Sequence, residues 1–397
     1  MDPIRGFHQK KSSKKIRSFL SFMRINETHL FVLQERFLSW GGAVYSSLFS
    51  WIPARRTLLT PSPYQQKETF TEKVQKLPTP SSLALIPYWN SPSSESICFF
   101  SKHCGHDAIN VIETAILSAK TSIFLKIFSI SSKKITRALA IKSIQGVSVS
   151  MLYHHISTKT YSDLSKTTIE LIQFQENSHA LLHNKTLIID KQQIITGNGN
   201  FTSASLCEDV NLMMRINNMH LASLMEKNQA GRACIKKQKV RYLPVNRKGE
   251  IVKEIQKASS SIQLGMYILT NEAIIKALDE AASQRSVLVT IIIDPHKKAQ
   301  TLGTLKALNS KIRVRAGTLA SCIHCKVCII DHKTVIIGSA NWSNRGLNTN
   351  KEDLLIISPL TEGQKQDLNT WWHFLCENST VLAEEEIKQK LLRSLIK

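Results

Sequence analysis

Between residues 95 and 360 the apolar positions fall into runs that alternate between helical spacing and short, nearly continuous stretches such as VLVTIIID (287–294). The order of these runs occurs twice. AKTSIFLKIFSI (119–130) faces ASSSIQLGMYIL (258–269), and RALAIKSIQGVSVSMLYHH (137–155) faces KALDEAASQRSVLVTIIIDPH (276–296), with offsets of 139 or 140 positions. Each copy then reaches a hairpin-like pattern, HNKTLIIDKQQIITGNGNFT (183–202) and HCKVCIIDHKTVIIGSANWS (324–343). Each half reads as helix, strand, helix, strand and hairpin. That alternation predicts an α/β fold with helices covering a sheet, built as two lobes side by side about a pseudo-two-fold axis. The division expected is an N-terminal segment and linker over 1–94, a first lobe over 95–230 and a second lobe with a C-terminal helix over 231–397. EKNQAGRACIKKQK (226–239) is read as the connection between lobes.

The two hairpins match without a gap at five polar positions. His183, Lys185, Asp190, Gly197 and Asn200 fall opposite His324, Lys326, Asp331, Gly338 and Asn341, each 141 positions apart. Side chains alternate across a strand, so histidine and lysine two residues apart project from the same face. A stripe of core residues repeats as apolar; matched polar sets at one offset point to shared chemistry. Asp190 and Asp331 lie on the opposite parity where the apolar run stops, a place that a turn aspartate explains without chemistry. Glycine in GNGN and GSAN lets the backbone approach a ligand, and Asn200, Ser339 and Asn341 can donate hydrogen bonds to phosphate oxygens. His103, His106, His154, His155 and His332 have no spaced partner and read as solvated or core-packed.

Composition narrows the partner class. Lys and Arg number 52 against 30 Asp and Glu, a net charge of +22, so the surface attracts polyanions, either nucleic acid or anionic membrane. The eight cysteines are scattered through a long chain, which predicts reduced thiols. Structural zinc is not expected. Cys322 and Cys328 share the His324 face but lie roughly 20 Å apart on an extended strand, and the first copy has no cysteine at the equivalent places. Residues 5–24 are basic, and FLSWGGAVYSSLFSWIP (37–53) is uncharged and aromatic. Phe37 to Ile52 falls short of the roughly 20 residues that span a bilayer. A basic segment beside a Trp-rich apolar stretch suits the membrane interface, and residues 60–95, rich in Pro and Ser, read as linker. The tail AEEEIKQKLLRSLIK reads as an amphipathic surface helix.

The doubled pattern H-x-K-x4-D followed by G-S-x-N resembles the phospholipase D superfamily over about residues 95–360. The resemblance implies two α-β-α sandwich lobes sharing one active site at their interface. It implies that His183, Lys185, Asp190, His324, Lys326 and Asp331 form the catalytic set. One histidine, taken as His183, attacks phosphorus to form a phosphohistidine, and the other, taken as His324, protonates the leaving alcohol. The residues by themselves do not fix that order. Lys185, Lys326, Asn200 and Asn341, assisted by Ser339, would bind phosphate, with no metal ion or other cofactor. A downstream acid orients each histidine in the family. Here NKEDLLII supplies Glu352 for the second copy and LCEDVNLMM supplies Glu208 for the first, with Asp209 as substitute because Glu208 comes three positions early. GNGN departs from the family pattern by placing Asn198 where serine is usual.

The substrate class follows less directly. The expected function is metal-independent phosphodiesterase or phosphatidyltransferase activity on phospholipid, by a monomer held at an anionic membrane surface on its cytoplasmic face, with export the alternative. A nuclease acting on DNA or RNA is the second reading, without a zinc finger or RNA-recognition signature to support it. An inactive membrane-binding protein is the third.

Overall fold

The computed structural model describes residues 95–175, 179–305 and 311–383. The apolar stretch 37–52, its basic flank, the linker up to residue 94 and the C-terminal tail from 384 lie outside the described residues. Those described fall within one compact unit, organised around two sheets.

The first sheet is built from β1 (Ile97–Phe100), β2 (Ser122–Ser129), β3 (Ser148–His155), β4 (Glu170–Gln173), β5 (Lys185–Ile189), β6 (Gln193–Gly197) and β7 (Met213–Asn217), in the order β1-β7-β6-β5-β2-β3-β4. Its helices are α1 (Ala108–Leu117), α2 (Lys133–Ile144), α3 (Thr158–Leu164), α4 (Ser203–Cys207) and α5 (Met219–Glu226). The second sheet takes β8 (Gly231–Ile235), β9 (Gln238–Tyr242), β10 (Ser261–Met266), β11 (Leu288–Ile293), β12 (Arg313–Gly317), β13 (Lys326–Ile330), β14 (Thr334–Gly338), β15 (Leu354–Ser358) and β16 (Ser379–Val381), in the order β16-β12-β11-β10-β13-β14-β15-β9-β8. With it go α6 (Arg247–Lys257), α7 (Glu272–Gln284), α8 (Lys298–Leu305) and α9 (Glu362–Glu377).

Six strands of each sheet have the same relations. β2 is parallel to β3 and antiparallel to β5, as β10 is to β11 and β13. The register also repeats, since Ile127 stands opposite Lys185 and Met266 opposite Lys326. Sequence reading missed the third helix–strand unit of each copy, α3–β4 and α8–β12. Both strands are short, and β4 is largely exposed with no continuous apolar run.

The segment expected to connect the lobes, 226–239, is instead mostly the β8–β9 hairpin, added to the second sheet beside β15. Its physical basis is period-two burial: Ala233 and Ile235 are buried while Arg232 and Cys234 face solvent. The turn at Lys236 takes a φ of 52°.

Apolar packing comes in three bodies. One lies under α1 and α2 on the first sheet, with Ile112, Ile116 and Leu139 against Leu125 and Ile127. A second lies under α6 and α7, with Ile251, Ile255 and Leu278 against Leu264 and Ile291. The third joins the sheets. Ile188, Ile194, Met214 and Ile216 pack in one cluster with Val327, Ile337, Leu355 and Ile357, closed by Trp371 and Leu375 of α9. Burying these large side chains stabilises the lobe contact by roughly 1.5–3 kcal/mol per fully buried residue, so the interface is a core rather than a hinge.

Candidate active site

Two backbone hydrogen bonds stitch the lobes beside the histidines. Lys351 N–H donates to Leu181 O at 2.8 Å, and Val210 N–H donates to Cys322 O at 2.8 Å. These bonds are equivalents under the repeat, and each delivers the histidine two residues later to the interface. His183 also donates its own N–H to Lys351 O at 2.8 Å.

His183 is 8 % exposed. Its Nδ1 lies 2.9 and 2.8 Å from the two carboxylate oxygens of Glu352. Glu352 is fully buried and also accepts from Ser339 Oγ at 2.5 Å and Asn350 Nδ2 at 3.2 Å. His324 Nδ1 faces Asn211 Oδ1 at 3.0 Å, and Lys326 Nζ lies 3.0 Å from its Nε2. Lys185 Nζ donates to His183 O at 2.6 Å. Each lysine lies over an aromatic ring: Lys185 is 5.1 Å from the centroid of Phe128 in β2, and Lys326 5.2 Å from that of Tyr267, just past β10. The same rings edge the histidines at 5.2 and 5.0 Å. His154, read as solvated or core-packed, stacks on Phe128 at 5.2 Å and so belongs to the wall beside His183.

The electrostatics are those of a buried cationic site. Burial is the main cause that pushes His183 down to about 4; Glu352 opposes it, while Lys185 and Lys326 add to it. His324 is pushed well below the ordinary imidazole range by burial, then by Lys326, Lys185 and His183. Burial also pushes Lys326 down to about 7 and Lys185 well below the usual ammonium value. Burial alone would raise the Glu352 carboxyl, but His183, Lys185 and Ser339 outweigh it and hold the group ionised. Without an anion, then, a neutral imidazole donates to a carboxylate. An arriving anion favours the charged form of every cation around it.

Asn200 and Asn341 are equivalent, and each has a buried Oδ1 with no hydrogen-bond partner among the described residues. Ser339, expected to touch phosphate, has its hydroxyl bonded to Glu352. Gly197 and Gly338 admit a neighbouring strand rather than a ligand, since a Cβ at either would collide with the carbonyl of Leu212 or Asp353.

Three expectations need correction. Asp190 and Asp331 do not join the catalytic set. Each sits in a hairpin turn with its successor, at φ of 50° and 54° for Asp190 and Lys191 and 54° and 50° for Asp331 and His332, as a two-residue turn demands. The Asp190 carboxylate accepts the N–H groups of Lys120, Thr121 and Ser122, and Asp331 those of Ser259, Ser260 and Ser261. Each therefore pins a loop at the far end of the strand from its histidine. Glu208 does not orient a histidine, because it ends α4 exposed to solvent. Glu352 serves the histidine of the opposite lobe rather than its own.

Sequence reading missed Asn211, though the signal was present. The ungapped offset that matches the histidines also matches Asn211 to Glu352 and Asn198 to Ser339; aligning the two E-D pairs hid it. Also missed was Asp353, fully buried, which accepts from Thr186 Oγ1 at 2.5 Å and Tyr242 OH at 2.7 Å and lies 3.6 Å from Lys126 Nζ. It clamps β15 to β5 across the interface next to Glu352.

The family described as cardiolipin synthase, PLD-like domain, matches the chain twice, over residues 112–230 and 251–370. A phospholipase D of Rickettsia typhi is 32% identical over 130 residues, covering 32% of this chain and 63% of that protein. A mitochondrial cardiolipin hydrolase of Mus musculus is 28% identical over 110 residues, covering 27% of this chain and 48% of its own. The chain thus spans less than two thirds of the curated relatives it matches. Phosphatidylserine synthase of Haemophilus influenzae has a similar fold, with a TM-score of 0.57 at 12% identity over 75% of this chain and 92% of that one.

Proposed function

The chain belongs to the phospholipase D superfamily, the family match covering more than half of its length, and on that premise we propose that it transfers or hydrolyses the phosphodiester of a phospholipid through a phosphohistidine. One observation carries this reading. His183 and His324 come from separate lobes, and each has its Nδ1 taken by a fixed partner, Glu352 and Asn211. That leaves His183 Nε2 for attack and turns His324 Nε2 toward the site, where Lys326 Nζ stands 3.0 Å from it.

His183 Nε2 attacks phosphorus as the bond to the leaving oxygen breaks, and His324 gives that oxygen its proton. Water or an alcohol then returns a proton to His324 as its oxygen displaces His183. Lys185, Lys326, Asn200 and Asn341 hold the non-bridging oxygens, where fixed donors stabilise the charge that develops. This donor set suffices without a metal ion. Anionic lipid is the favoured substrate because the net charge of +22 and the N-terminal basic and aromatic segment attract such a surface. The same charge favours the nuclease reading.

The test incubates purified protein in chelator with phosphatidylglycerol, phosphatidylcholine or single-stranded DNA, plus an alcohol acceptor. Phosphatidyl-alcohol or phosphatidic acid is the expected product. Oligonucleotide fragments would select the nuclease, and turnover no greater than that of His183→Ala and His324→Ala would leave an inactive binding protein. Flotation with anionic liposomes, lost on deletion of residues 1–60, tests membrane attachment separately.

A further inference from the structure

The two halves of the site differ at one connected pair of positions. In the second lobe Ser339 donates to Glu352, which faces His183. In the first lobe the equivalents are Asn198 and Asn211, and they do not bond in that way. Asn198 Nδ2 reaches across to Gly338 O at 2.5 Å, while its Oδ1 accepts Leu212 N–H at 3.2 Å. Asn211 Nδ2 donates to Ser205 O at 2.7 Å, and its Oδ1 faces His324 Nδ1 at 3.0 Å. A backbone carbonyl only accepts, so Ser205 fixes which end of the amide is nitrogen. An amide oxygen also only accepts, so His324 Nδ1 carries the proton and Nε2 turns to the site.

We infer that Asn211 is a positioning residue that makes the two histidines unequal: it orients His324 as a carboxylate would but withholds negative charge, so His324 handles protons and His183 alone carries the phosphoryl group. The inference rests on the phosphohistidine reading above. Bond formation from His183 Nε2 to phosphorus leaves that ring positive, and the Glu352 carboxylate stabilises it through Nδ1–H. The leaving oxygen takes the proton from His324 Nε2, and a ring beside a neutral amide releases it more readily.

The other groups around His324 add no compensating anion. Lys326, Lys185 and His183 all disfavour its charged form, as burial does. Tyr267 packs its ring at 5.0 Å, with Lys297 Nζ 5.6 Å from the centroid of that Tyr267 ring. The nearby acids are engaged elsewhere: Asp209 accepts Cys322 N–H at 3.2 Å, and Asp294 accepts Ile323 N–H at 2.8 Å. His103 Nε2 lies at Asp209 O, 3.2 Å away, and Glu352 faces His183.

The test compares wild type with the near-isosteric Asn211→Asp, using imidazole NMR titration of His324, assigned through His324→Gln, together with the pH profile of kcat/KM. A carboxylate placed there raises the His324 pKa by about one unit or more. As the proton donor must be charged, the basic limb of the profile moves to higher pH by the same amount, with KM little changed. Nitrogen shifts of wild-type His324 need no variant and are expected to read Nδ1–H. An Nε2–H tautomer, or titration and profile unmoved in Asn211→Asp, overturns the inference while the proposed function stands. A wild-type protein that forms no phosphohistidine overturns both.

Discussion

The hairpins β5–β6 and β13–β14 are near copies in backbone and differ in what stands beside them. Both begin with a lysine under an aromatic ring, turn at an aspartate that caps a distant loop, and end at a glycine pressed on a carbonyl. The supporting pair changes, from Ser339 and Glu352 to Asn198 and Asn211. The repeat is therefore kept where the backbone depends on it and broken where the two histidines need different surroundings.

Removing each histidine breaks the comparison most sharply. His183→Ala is expected to lower kcat/KM by about 10⁴-fold or more, since no covalent step remains. His324→Ala is expected to lose about 10²- to 10⁴-fold, the scale of a general acid, and to retain more activity on substrates with an acidic leaving group. Equal losses on both kinds of substrate would contradict unequal roles.

Glu352→Gln makes the second lobe resemble the first. It is expected to slow turnover by about 10²-fold or more through loss of the charge that steadies His183, measured as kcat with a small change in KM. Ser339→Ala, which removes one charge-assisted hydrogen bond to Glu352, is expected to cost about tenfold.

Stability responds to pH with a defined sign. Burial holds His183 neutral in the folded chain down to about 4, against 6.5 for the free imidazole. The unfolded state therefore binds the extra proton between those values, and stability falls as pH drops from 6.5 toward 4. The lowered Glu352 pKa adds a contribution present above its ordinary 4.5 and lost as pH falls through the folded value. Thermal melts are expected to show Tm falling as pH drops across this range, and rising from pH 7 to 8, where Lys326, pushed down to about 7 in the folded chain, has lost a proton that the unfolded chain still binds.

The smallest effect on activity belongs to the motif aspartates. Asp190→Asn or Asp331→Asn unpins a loop and is expected to cost about 1–2 kcal/mol of stability each, with kcat/KM changed less than threefold. A loss of activity as large as that of His324→Ala would return them to the catalytic set.

Much of this was legible in the residue pattern. The alternation of apolar runs gave the layered α/β fold, and one offset paired His183 with His324 and Lys185 with Lys326. What stayed hidden depends on the lobe interface. No intra-copy spacing reveals that Glu352 crosses to His183, because that contact is made only when two core faces close. Asn211 escaped because an acidic residue was sought where an amide performs the orienting half of the task. The β8–β9 hairpin reads as a connection because its period-two signal in β8 is only five residues long.

The unequal roles of the two histidines are tested most directly by mapping the covalent intermediate. Wild-type protein mixed with labelled substrate and quenched in alkali, which preserves phosphohistidine, is predicted to carry the label on the peptide containing His183. Label on His324, or shared between the two, would contradict the account.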